Sequence, residues 1–166
     1  MAQKSEVFKQ SVKHKGFFNY TDFYNFCYTW LVEEDYKVSE EEYTEKITGI
    51  GKEVVIKWVA KKKISDYFQY LIVIKWHILG LNDAEVETEG RKLKTHKGEV
   101  KLTVTSELEK DYENRWEDRP FWKFLRGVYD KYVIKSTADE YEDRLTKDSI
   151  SFIEQAKSFL ALEGKR

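Results

Sequence analysis

From Lys52 the chain alternates apolar and polar positions with a period of two. Val54, Ile56 and Trp58 interleave with Val55, Lys57 and Val59, and a polar stretch from Lys61 to Asp66 follows. A longer alternating run then places Phe68, Tyr70, Ile72, Ile74, Trp76 and Ile78 on one side. This period is that of a strand, whose successive side chains point to opposite faces, and the polar stretch between the runs predicts a hairpin turn around Ile64 to Asp66. The tripeptide Ile-Lys-Trp occurs once in each run, from Ile56 to Trp58 and from Ile74 to Trp76. Register follows the hydrophobic match, so both tryptophans are expected in the core and both Lys57 and Lys75 on the opposite face.

Elsewhere the pattern changes period. Residues up to Gly16 are polar and basic without sustained periodicity, which reads as a flexible arm or a short helix around Val7 to Val12. Asn19 or Thr21 can cap a helix running to about Glu34, with Phe23, Phe26, Cys27, Trp30 and Leu31 on one stripe and Tyr24 and Tyr28 off it. A helix so aromatic all round is expected to be covered on more than one side. Between Tyr36 and Lys52, Ser39 with Glu42 fits a capping box, whereas Tyr43, Glu45 and Ile47 alternate as in a strand; the alternation favours a short strand.

After the Gly80 to Asp83 turn, Glu85 to Lys94 reads as a polar third strand with a bulge or bend at Gly90. A turn at Thr95 to Gly98 leads to a fourth strand, in which Val100, Leu102, Val104 and Leu108 face inward and Lys101, Thr103, Thr105 and Glu107 face water. Asp118 and Pro120 open a helix carrying Phe121, Phe124, Leu125, Val128 and Tyr132. The Thr137 to Glu140 capping box opens a last one, whose stripe is Tyr141, Leu145, Phe152, Ile153, Ala156, Phe159 and Leu160. The expectation is a single α+β domain over residues 17–166, built as an N-terminal helix, a four- to five-stranded antiparallel meander and two C-terminal helices packed on the sheet.

The opposite face of the second strand changes the functional picture. Leu71, Val73 and Leu79 lie there beside Gln69, Lys75 and His77, and the first strand adds Val55 and Val59. A face left to water reads more polar than this. Either the N-terminal helix covers it, with the lysine stems lying over apolar neighbours, or a partner chain, a second copy or a ligand does.

Composition narrows the class. Of 166 residues, 41% are hydrophobic and 16% aromatic, enough to build a core. Lys and Arg number 29 against 30 Asp and Glu, so any basic surface must be local. The abundance of Lys and Glu, with one Pro, one Met and one Cys, resembles proteins of hot environments. A single cysteine, Cys27, leaves no internal disulfide and no multi-cysteine metal site. No signal peptide or span-length apolar run is visible. A cytoplasmic protein without a cofactor is the expectation.

Candidate chemistry is sparse. His14, His77 and His96 share no metal-ligand spacing. Cys27 sits on an apolar stripe, and Gly49-Ile50-Gly51 lacks the rest of a phosphate-binding fingerprint. Asp83, Glu85, Glu87 and Glu89 alternate along the third strand, as an acid/base or cation site would, and as a charge-guarded edge strand would too. Arg115, Arg119, Lys123 and Arg126 flank Trp116, Phe121 and Trp122, and Lys61 to Lys63 form the one basic run.

The leading expectation is a non-enzymatic protein-interaction or assembly module using Lys57, Leu71, Val73, Lys75 and His77, with a protein partner or a second copy. The alternative is an RNA-contacting domain using Lys61, Lys62, Lys63, Arg115, Arg119 and Arg126. The third is an enzyme with an unfamiliar carboxylate site on the third strand.

Overall fold

The computed structural model describes residues 3–113 and 134–164, together with Phe124, Gly127 and Val128. The elements run β1 (Gln3–Phe18), α1 (Tyr20–Glu33), β2 (Lys37–Thr48), β3 (Gly51–Lys63), β4 (Phe68–Thr88), β5 (Arg91–Lys110) and α2 (Ile134–Gly164). Every strand pair is antiparallel, in the order β1-β5-β4-β3-β2. The architecture is α+β, and β2 to β5 form the expected meander.

Three sequence expectations need correction. The N-terminal residues are neither arm nor helix: they form β1, an edge strand that pairs with β5 from His96 to Lys110. Its alternation is real but weakly apolar, because the inward positions Gln10 and His14 flank the buried Val12 while Lys9, Ser11, Lys13 and Lys15 alternate with them. The expected third strand is also not one element. It is the far end of β4 and the near end of β5, which run on as one long hairpin closed at Glu89 and Gly90, and the expected fourth strand is the later part of the same β5. Both turn residues have positive φ, 53° and 76°, as a two-residue hairpin loop whose twist matches the strands requires. Finally, α2 is already helical at Ile134, so Thr137 lies inside it and caps nothing. The helix expected from Asp118 falls outside the continuously described residues.

The stretch from Lys37 to Thr48 is a strand, the other edge of the sheet. Its glutamates suit an edge that must not pair with another chain.

The core lies on the tryptophan face. Ile56, Trp58, Ile72, Ile74, Trp76, Val100, Leu102 and Val104 are buried there. Asn19 caps α1 by accepting the Asp22 N–H at 3.0 Å, and α1 lays Phe23 against Trp76, centroid to centroid 5.2 Å. Phe159 of α2 stacks on Phe23 at 5.4 Å, and Phe152 meets Trp30 at 5.2 Å edge-on. Tyr24 and Tyr28 cover Trp58 at 4.9 and 6.1 Å. The aromatic girdle of α1 is thus used on several sides, as its sequence implied, and all of these contacts are on the tryptophan face.

Tyrosine hydroxyls tie this core to its rim. Tyr24 donates to Glu40 at 2.7 Å, Tyr36 to Asp148 at 3.5 Å and Tyr70 to the Tyr141 carbonyl at 2.7 Å, while Tyr20 and Tyr43 share a hydroxyl contact of 3.2 Å. Burial is the largest cause that raises their pKa: Tyr24 and Tyr70 are pushed up to about 12, and Tyr20 and Tyr36 rise further. An unfolded tyrosine ionises near 10, so the fold holds protons that the unfolded chain releases. Stability is therefore expected to be fully kept below pH 10 and lost as the pH rises towards 12. Denaturant titrations over that window should show the fall, with these hydroxyls ionising as the chain unfolds. Unchanged stability with every tyrosine titrating near 10 would refute it.

Candidate functional site

The hairpin of β3 and β4 sets the site. Its register places Ile56 opposite Trp76, Lys57 opposite Lys75 and Trp58 opposite Ile74, so the two Ile-Lys-Trp segments lie face to face in opposite directions. The tryptophan rings meet diagonally at 5.1 Å on the core face, and both lysines point to the other side, as the hydrophobic match predicts. Neither α1 nor α2 lies on that side. The alternative in which α1 covers it is overturned: α1 packs with α2 on the tryptophans, where its rings find aromatic partners.

Cross-strand pairing extends this second face over all five strands. One row runs Glu42, Lys57, Lys75, Thr103, Ser11; the next runs Thr44, Val55, His77, Lys101, Lys13. On the other side of the first row come Val59, Val73, Thr105 and Lys9, and beyond them Lys61, Leu71 and Glu107. The face is not uniform. Leu71 is only 4% exposed and Val59 7%, and Val55, Lys57 and Val73 are half-buried, whereas Lys13, Lys75, His77 and Lys101 stand exposed. Of the five residues expected to meet a partner, Leu71 is therefore closed off, and only Lys75 and His77 are fully presented.

Local partners sort the charges further. Glu41 lies 3.7 Å from the Lys57 ammonium, and Glu53 is 3.0 Å from His77 Nε2. Ser11 and Thr103 share a hydroxyl contact of 3.1 Å. Among the described residues no carboxylate pairs with Lys13, Lys75 or Lys101. Two of these three were not singled out by sequence: Lys13 sits on a strand that looked like an arm, and Lys101 looked like ordinary solvent decoration. The Lys9-Ser11-Lys13-Lys15 alternation was the available signal.

The other candidates come apart. Lys61 to Lys63 end β3 and do not form a turn, so they alternate between faces. Lys62 lies 5.4 Å over the Tyr36 ring and Lys63 5.9 Å over Tyr112. Arg115, Arg119 and Arg126 lie outside the described residues. The acidic row runs along the long hairpin, with Asp83 opposite His96, Glu85 opposite Lys94 and Glu87 opposite Lys92, while Glu89 is in the turn. Opposite charges facing each other across strands are a stabilising pattern, and this row reads as a charge ladder.

Cys27 is fully buried, and burial pushes its thiol pKa well up, away from the reactive thiolate. His96 accepts the Tyr20 N–H at Nδ1, and His14 Nε2 lies 3.1 Å from the Phe17 carbonyl. Among the described residues no three His, Cys, Asp or Glu side chains cluster to hold a metal ion, and no helix is long and apolar enough to cross a membrane. Comparison with protein-family models, curated proteins and solved structures finds no match.

Proposed function

We propose that the protein is a binding module and not an enzyme, and that it works through the sheet face opposite α1 and α2. One observation supports this above the others: the central strand β4 turns Lys75 and His77 outward, exposed, on the face away from α1 and α2. The exposed part of this face carries Lys13, Lys75, His77 and Lys101, and an exposed sheet surface is free to meet water or a partner. The carboxylate row that an enzyme would need is matched instead, lysine for glutamate, along its hairpin. A cytoplasmic location fits a chain whose one thiol is buried and unpaired.

Charge reversal tests this reading. Lys75→Glu combined with Lys101→Glu changes only exposed positions and is expected to move stability by about 0.5 kcal/mol or less per site. Molar mass by light scattering over a concentration series, and the retention of bound macromolecules through purification, are expected to change. If both readouts match the wild type while the fold is intact, the face is not the working surface.

A further inference from the structure

We infer that this face binds the phosphate backbone of a nucleic-acid duplex, with Lys13, Lys75 and Lys101 as its main contacts. The inference rests on the reading above that the open face is the working one, and it names the partner. Two cross-strand pairs carry it: Lys13 stands directly opposite Lys101, neither with a carboxylate partner among the described residues, and Lys75 stands directly opposite Lys57, whose own charge Glu41 and Glu42 of β2 partly offset. Like charges so placed destabilise a sheet, because opposed Cβ atoms are only about 5 Å apart. A polyanion laid across both pairs turns that repulsion into attraction. His77 sits between them, opposite Lys101 and next along β4 from Lys75 on the same face.

The dimensions fit a duplex. The stripe crosses four strands, roughly 14 Å at about 4.8 Å per strand. A duplex carries one charge per about 3.4 Å on each strand, so that span holds about four phosphates of one strand, enough for the three lysines. Between the lysine pairs, Ser11 and Thr103 present hydroxyls, groups that with Lys commonly contact phosphate oxygens.

Other partners fit less well. Protein interfaces are depleted of Lys and anchored by Trp, Tyr and Arg, and none of those three types stands in the cationic rows. A single strand would need rings to stack on, yet the strand tryptophans face the helices. A lipid surface would need apolar side chains standing proud, and here Leu71 and Val59 are buried.

The test is fluorescence anisotropy of a labelled DNA duplex of two helical turns, titrated with the whole protein from about 50 mM to about 200 mM salt. Binding is expected to be indifferent to sequence, with log K falling against log salt with a slope of about −3, one unit for each unpaired lysine. Lys75→Glu with Lys101→Glu should weaken binding at least tenfold and flatten the slope by about 2, while arginine at both positions should keep it. No binding by wild type at the lowest salt would overturn the inference, as would equal binding by the reversed variant. Polyglutamate or anionic vesicles that compete as well as unlabelled duplex at equal charge would also overturn it. If the duplex fails to bind but charge reversal still changes the light-scattering mass, only the duplex falls; if charge reversal changes neither readout, the face falls with it.

Discussion

Trp76→Ala is expected to destabilise the protein by about 3–5 kcal/mol, the range for removing a large aromatic side chain from a packed core. Trp76 is 1% exposed and touches Phe23, Tyr24 and Trp58, at 5.2, 6.0 and 5.1 Å between rings. Alanine would thus leave a void where β3, β4 and α1 converge, and dense interiors close such voids only in part. A milder pair of variants separates packing from polarity. Trp58 Nε1 donates to Glu40 at 3.2 Å, whereas Trp76 Nε1 is buried without a hydrogen-bond partner. Trp58→Phe therefore removes a donor that Glu40 uses, while Trp76→Phe removes one that is unsatisfied. Urea unfolding should find the second substitution less harmful than the first; the reverse order would contradict the assigned roles.

Leu71→Asp is expected to cost roughly 3–5 kcal/mol, although it lies on the same face as the exposed lysines. Burying a leucine contributes about 1.5–3 kcal/mol, and an imperfectly paired polar group in its place costs about 1–3 kcal/mol more. Lys61 and Glu107 flank the position across the two neighbouring strands, so their charges offset each other and neither rescues the carboxylate. Lys75→Glu, four residues further along the same strand, should be near neutral or slightly stabilising, because it replaces the Lys57–Lys75 repulsion with an opposite pair. Denaturant midpoints of the two variants decide the matter, and equal small losses would show that Leu71 is not closed off.

That contrast explains what the sequence makes legible. The register of β3 on β4 could be read because a long, strongly apolar period of two tolerates no one-residue slip without turning its tryptophans to water. The far half of the long hairpin could not, because the pairing is irregular between Leu79 and Asn82. Gly80 and Gly98 resembled turn residues there, yet both lie within strands: a Cβ on Gly98 would come within 3.1 Å of the Leu79 carbonyl and the Leu81 backbone. Strand β1 escaped notice because its inner side carries Gln10 and His14 beside Val12. The side taken by α1 was not legible at all, since a helix with aromatic residues around its circumference carries no pattern that selects one face of a sheet. Lys57, Lys75 and His77 were placed correctly on the second face, but the division of that face into a closed end and a cationic end depends on burial, which alternation does not encode.

The opposed Ile-Lys-Trp segments have a geometric consequence of their own. Pairing Ile56 with Trp76, Lys57 with Lys75 and Trp58 with Ile74 generates a local two-fold axis, perpendicular to the sheet and passing between the two lysines. Rotation by half a turn about it exchanges the segments and restores the same order of residues. The symmetry stops at the side chains: Lys57 is half-buried against Glu41, whereas Lys75 stands exposed, so a ligand arriving along that axis meets one engaged amine and one free one. The polarity of this centre thus comes from residues off the axis, where Glu41, His77 and Lys101 have no symmetric counterparts.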